Sequence, residues 1–181
     1  MTSSIVERAR TGDQLAFSEL FAIHVDRCYA IAFRILRDPH RAEDAVQQAL
    51  LLAWRDLPGL RDVDRFDAWL MRLLVNQCYQ LAGRHRHLSA RVREIVPEDR
   101  VTVNTYAAVE EREALEQAFT VLSAEQRAVF VLHHHVGLPL ADIASTLGVP
   151  LGTVKSRLHY ATRRLREAME LQETLPKVRP A

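Results

Sequence analysis

The chain has 181 residues, 48% of them hydrophobic, and a formal net charge of +1. That apolar content suffices for a folded core and excludes wholesale disorder, while the small net charge excludes neither a nucleic-acid nor a protein partner. Met1–Arg10 is polar with no apolar run behind it, and no stretch approaches the ~18 apolar residues of a membrane span, so a cytoplasmic protein with no membrane insertion is expected.

Almost every segment reads as helix. Only six glycines occur, and no alternating runs bounded by turn signals suggest strands. Gly12-Asp13 offers a stop followed by an N-cap. Phe17, Leu20, Phe21, His24, Cys28, Ala32 and Ile35 then recur at three- and four-residue steps as one buried stripe. Asp38-Pro39-His40 interrupts that stripe, and Pro39 suits the first turn of a new helix. The second helix carries Ala42, Ala45, Val46, Ala49, Ala53 and Trp54 inward. Asp44, Gln47, Gln48 and Leu51 fall on its outer face, which is acidic and amide-rich. Leu57-Pro58-Gly59 ends it.

A polar loop, Arg61-Asp62-Val63-Asp64-Arg65, leads to a third apolar run with Phe66, Trp69, Leu70, Leu73 and Leu74. This run is expected to end near Gly83, in the basic stretch Arg84-His85-Arg86-His87. Periodicity fades from Leu88 to Ala108, where Pro97 and scattered charges suggest a flexible linker. Helix resumes at Val109 and runs through Leu115, Ala118, Phe119 and Leu122. Ser123-Ala124-Glu125-Gln126 has the form of a capping box and opens another helix.

Leu138–Met169 reads as a helix-turn-helix. A short helix holds Ala141, Ile143, Ala144 and Leu147. Gly148-Val149-Pro150 makes the turn, since glycine accepts positive φ and proline cannot continue the first helix. A longer helix starts at Gly152-Thr153. At about 100° per residue, Val154, Leu158, Ala161, Leu165 and Ala168 form its inner stripe. Ser156, His159, Tyr160 and Arg163 point the other way, flanked by Lys155 and Arg166 on one side and by Arg157 and Arg164 on the other. Leu151–Arg166 holds five basic residues and no acid, whereas Glu94–Glu125 holds eight acids against Arg100 and Arg112. A basic helix face of this kind fits a DNA major groove, with hydroxyl and imidazole groups at base edges and arginines on guanines or phosphates.

Two resemblances now carry a family. Ser123–Phe130, Gly137-Leu138, Asp142-Ile143-Ala144 and Gly148–Arg157 resemble domain 4 of the extracytoplasmic-function (ECF) sigma factors of the sigma-70 family. Independently, Gly12-Asp13 with Ala16-Phe17, Ala42–Gln47 with Ala53-Trp54, and Phe66–Leu70 with Asn76 resemble domain 2. The resemblance spans about Val6 to Met169. It implies an all-α fold of two small helical domains joined by a flexible linker: 1–88, linker 89–108, a helix-turn-helix domain 109–172 and a tail 173–181.

The resemblance further implies a transcription initiation factor that binds core RNA polymerase and directs it to −10 and −35 promoter elements. Its partners would be the clamp helices of the largest polymerase subunit, the polymerase flap, promoter DNA and an anti-sigma factor. The polymerase surface would be Asp44, Gln47, Gln48 and Leu51, although Gln48 stands where the family more often has Glu. The −10 element would meet the loop carrying Arg61 and Arg65, together with Asn76, whose amide suits either a base edge or a structural hydrogen bond. The −35 element would meet Lys155, Ser156, Arg157, His159, Tyr160 and Arg163, with Tyr160 where the family often has Arg. Trp69 shares a stripe with Phe66 and Leu73 and is expected in the core.

Neither cofactor nor metal is expected. His133-His134-His135 spread over about 200° of helix and cannot converge on one ion. Cys28 and Cys78 lack ligand spacing and read as reduced core residues. No phosphate loop or nucleophile elbow marks an enzyme. The competing function is a self-sufficient helix-turn-helix repressor or activator, which would need a sensor or dimerisation unit in residues 1–90.

Overall fold

The computed structural model describes residues 2–91 and 119–174, and among these every regular element is helical. α1 (Thr2–Arg10) buries Val6 and Ala9. Gly12 then turns the chain at φ 98°, a value that favours glycine. Asp13 caps α2 (Gln14–Leu36), its carboxylate accepting from the Ala16 N–H at 3.0 Å. α2 buries Ala16, Leu20, His24, Cys28, Ile31, Ala32, Ile35 and Leu36, whereas Phe17 and Phe21 stay half-buried on its flank.

Asp38 caps α3 (Pro39–Asp56) through the Arg41 N–H at 3.0 Å, and Pro39 occupies the first turn. Its core side is mostly alanine (Ala42, Ala45, Ala49 and Ala53), which lets α3 lie close against α2 and α4. Trp54 departs from expectation: it is 46% exposed. It lies about 100° around the helix from Ala53, so the core line passes it by. Its ring instead stands edge-on to Phe17, centroids 4.3 Å apart.

Two 3-10 turns, Leu57–Gly59 and Val63–Arg65, lead into α4 (Phe66–Arg91). α4 does not stop at Gly83 but continues to Arg91, through the first three residues of the expected linker. One glycine costs a helix about 1 kcal/mol against alanine, less than the packing of Leu81 and Ala82 against the core returns. The rest of the linker and the helix expected from Val109 lie outside the described residues up to Phe119. Phe119 and Leu122 are buried.

The C-terminal half opens on Ser123, whose side chain and that of Gln126 form the reciprocal capping box of α5 (Ala124–His134). α6 (Leu140–Leu147) follows. Pro139 sits at its cap, with an extended ψ of 149°. Gly148 ends α6 at φ 65°, and α7 (Leu151–Thr174) completes the helix-turn-helix. α5 packs against α2 and α4, and α6 against α4, so one apolar core runs through both halves.

Candidate nucleic-acid and partner interfaces

α7 is positioned by Val154, Ala161 and Leu165, which are buried beneath α5 and α6. Its start is fixed by the Pro150 carbonyl, which accepts from the Thr153 and Val154 N–H groups at 2.9 and 3.2 Å. Lys155, Ser156, His159, Tyr160, Arg163 and Arg166 are exposed on the far side, with Arg157 and Arg164 half-buried at its edge. The Ser156 hydroxyl donates to the Thr153 carbonyl at 3.0 Å, which leaves its oxygen to accept from a partner's N–H.

Two contacts beyond the expected set shape this face. The Arg163 and Arg164 guanidinium carbons stand 5.3 and 6.0 Å from the Tyr160 ring centroid. Glu167, one residue past the acid-free run, draws both arginines at 3.5 and 3.8 Å. Its three- and four-residue spacing from them was the available signal.

The second candidate region begins in the loop between α3 and α4. Leu57 and Leu60 are buried at one end and Phe66 at the other, while Arg61, Asp62, Asp64 and Arg65 are exposed between them. Asp62 organises the turn: its carboxylate accepts from the Asp64 N–H at 3.1 Å and its carbonyl from the Arg65 N–H at 3.2 Å. Arg65 rests 3.5 Å from the same carboxylate.

Along α4, Asn76 is exposed and Trp69 half-buried against the core, as expected for Trp69. Arg72, absent from the expected set, is exposed on the same face. Trp69, Arg72 and Asn76 recur at three- and four-residue steps, so the spacing held that signal. Arg61 and Arg65 sit in the loop ahead of α4 and Asn76 lies ten residues into the helix, all three exposed.

On α3, Asp44, Gln47, Gln48 and Leu51 are all exposed, Leu51 by 62%. Trp54 joins them as a second apolar side chain one turn beyond Leu51, which sequence reasoning had assigned to the core. An exposed leucine–tryptophan pair ringed by amides and a carboxylate is the composition of a protein-docking anchor.

Other groups offer little chemistry. Burial pushes the Cys28 thiol up to about 11 and the Cys78 thiol to about 12, away from thiolate reactivity. His133 points its Nδ1 at the Leu138 carbonyl, 3.0 Å away, while His134 and His135 are exposed. Among the described residues no group of three or more metal-ligating side chains converges, and no helix is long and apolar enough to cross a membrane.

Comparison with known proteins brings these faces together. Residues 20–88 match the sigma-70 region 2 family model, and residues 112–165 match sigma-70 region 4. The ECF RNA polymerase sigma factor SigM of Mycobacterium tuberculosis is 36% identical over 155 residues, covering 85% of this chain and 77% of its own. The chain belongs to the ECF sigma factors.

As such it is an RNA polymerase sigma factor, a DNA-binding protein that directs the polymerase to promoters; sigma factors are not enzymes. SigW of Bacillus subtilis, another ECF sigma factor, is 26% identical and covers 93% of this chain and 97% of its own. Among solved structures, the sigma factor RpoE bound to the anti-sigma factor NepR from Bartonella quintana aligns with a TM-score of 0.70 at 26% identity. It covers 85% of this chain and 96% of its own. CnrH in complex with the cytosolic domain of CnrY gives 0.68, also at 26% identity, covering 94% and 97%. The match to region 2 occupies the stretch that a self-sufficient repressor would need for its sensor or dimerisation unit.

Proposed function

We propose that the three faces divide the work of an ECF sigma factor among named residues. Asp44, Gln47, Gln48 and Leu51, with Trp54 added, bind the clamp helices of the largest polymerase subunit. Arg61, Arg65 and Asn76 take the melted −10 element, with Arg72 beside Asn76 gripping phosphate. Lys155, Ser156, Arg157, His159, Tyr160 and Arg163 read the −35 element in duplex DNA, and the C-terminal half meets the polymerase flap. The functional units are 1–88 and 109–172, joined by 89–108, and the protein acts in the cytoplasm beside the polymerase.

The observation that carries this reading is α7. One side is buried beneath α5 and α6, and the other presents hydroxyl, imidazole, phenol and guanidinium groups to solvent. An anti-sigma partner is supported by the two solved relatives, whose complexes are with the anti-sigma factor NepR and with the cytosolic domain of CnrY.

Run-off transcription with core polymerase on a promoter library tests the assignment. Asp44→Arg with Gln47→Arg should weaken core binding more than tenfold with helicity unchanged. Lys155→Ala should weaken all promoters and lower the salt slope by about 1, the loss of one phosphate contact. His159→Ala or Tyr160→Ala should instead change which −35 sequence is selected. Unchanged core binding by the double variant refutes the α3 assignment, and uniform loss by all the α7 variants refutes base reading.

A further inference from the structure

We infer that α1 is a positioning element for the −10-reading loop, acting through Ser3 and Arg10, which hold that loop at two points. This rests on the assignment of the 61–65 loop to the −10 element. α1 lies ahead of residue 20, where the match to sigma-70 region 2 begins, so the family match gives it no role.

The contacts are specific. The Ser3 hydroxyl donates to the Asp64 carboxylate at 2.8 Å, across 61 residues of chain. The Arg10 guanidinium donates to the Leu60 carbonyl at 3.3 Å, where the loop leaves the core. Glu7 orients Arg10 from the other side at 2.6 Å. On a helix Ser3, Glu7 and Arg10 lie within about 60° of one line, so α1 turns a single polar stripe toward the loop.

α1 is a firm base for such a brace. Val6 is fully buried and Ala9 nearly so, and α1 packs against α2 and against both 3-10 turns. Arg8 pairs with Asp13 at 2.6 Å, and Asp13 also caps α2, so the end of α1 is tied to the start of α2.

The loop needs bracing from outside. Among the described residues its internal bonds run through Asp62, which organises the turn, and Val63 alone packs it against the core. Between the buried residues Leu60 and Phe66 only Val63 is half-buried. Of the two outside holds, Ser3–Asp64 sits at the tip, between the candidate base contacts Arg61 and Arg65, and Arg10–Leu60 sits at the root. A loop held at tip and root presents Arg61 and Arg65 in one geometry. A loop released at the tip samples several and discriminates bases less well.

The test uses full-length protein in holoenzyme with core polymerase, on a library-selected promoter and on variants of it changed at single −10 positions. Ser3→Ala, Asp64→Ala and Arg10→Ala should each reduce discrimination among −10 variants by at least threefold. Core binding and −35 preference should not change. Ser3→Thr, which keeps the hydroxyl, should restore discrimination. The double variant Ser3→Ala with Asp64→Ala should be no worse than either single change, because both remove the same bond.

Loss of discrimination in Arg61→Ala with Arg65→Ala, alongside full discrimination in the Ser3, Asp64 and Arg10 variants, overturns the role of α1 and leaves the loop assignment standing. Full discrimination in the Arg61 and Arg65 variant overturns both. A uniform fall on all promoters, with unaltered ratios, reduces α1 to a structural element and also overturns the proposal.

Discussion

His24 shows how one side chain makes the N-terminal core sensitive to acid. It is buried in α2 beside the Phe66 ring, with Nε2 at 3.7 Å from the Asp67 carboxylate, too far for a hydrogen bond. Burial lowers its pKa below the ordinary 6.5; Asp67 opposes that shift, and Arg27 reinforces it. The folded chain therefore protonates His24 less readily than the unfolded chain, which takes up a proton as pH falls through 6.5. Stability from this site is complete above that pH and is lost progressively below it. Asp13 and Asp56 are held below their ordinary 3.8 by hydrogen bonds, so their contribution disappears only at far lower pH. Thermal melts at pH 7.5 and 5.5 should show a lower midpoint at pH 5.5. His24→Gln should shrink that difference while lowering the midpoint at pH 7.5, because it disturbs a packed site. An equal pH difference in the variant would remove His24 as the cause.

At the scale of elements, the turn of the helix-turn-helix separates two glycines that look alike in sequence. Gly148 has φ 65°, and a Cβ there would meet only the Arg72 guanidinium at 4.0 Å; the cost of a side chain is thus backbone strain, about 1–2 kcal/mol. Gly152 lies inside α7 with open space around it and no positive φ. Gly148→Ala should lower the melting midpoint, and Gly152→Ala should raise stability by about 0.4–1 kcal/mol. Differential scanning calorimetry distinguishes the signs, and equal signs would contradict this geometry. Local chemistry of this kind was legible beforehand: Gly12, Asp13, Pro39, Ser123 and Gly148 each mark a boundary because cap and turn preferences are set by the residue's own atoms. The outward face of α7 was legible for a related reason, since one strong apolar stripe settles the rest of a helix. Trp54 and Gly83 were misplaced because their settings are tertiary. Trp54 finds Phe17 outside the core line, and Gly83 is carried through by its neighbours' packing. Ser3 and Asp64 meet across a distance in sequence that no local pattern encodes.

For the molecule as a whole, the two halves touch through surfaces that the promoter-bound state has reason to release. The Gly148 turn lies against Arg72, and both Arg157 and Glu125 act on the buried Tyr79 hydroxyl of α4. Residues proposed for both promoter elements thus border the contact between the halves. Like charges also meet there. Arg127, half-buried, is lowered to about 10 chiefly by burial and then by Arg37, with Glu125 opposing the shift. Burial, then Arg34 and Arg27, lower the His135 pKa. Apolar packing of α5 and α6 on α2 and α4 holds the halves together. Acid should loosen the contact slightly, because the partly shielded His135, beside Arg34 and Arg27, protonates less readily when docked than its ordinary pKa of 6.5 implies. Dyes placed by Ser18→Cys and Ser145→Cys, on exposed sites in α2 and α6, report the distance, since buried Cys28 and Cys78 resist labelling. Energy transfer in the free protein should be high, fall slightly from pH 7.5 to 5.5, and fall most when core polymerase and promoter are added. His135→Gln should flatten the pH response without altering the polymerase response. Transfer that stays constant when polymerase binds would mean that the two halves work as one rigid body, with −10 and −35 spacing set by this packing.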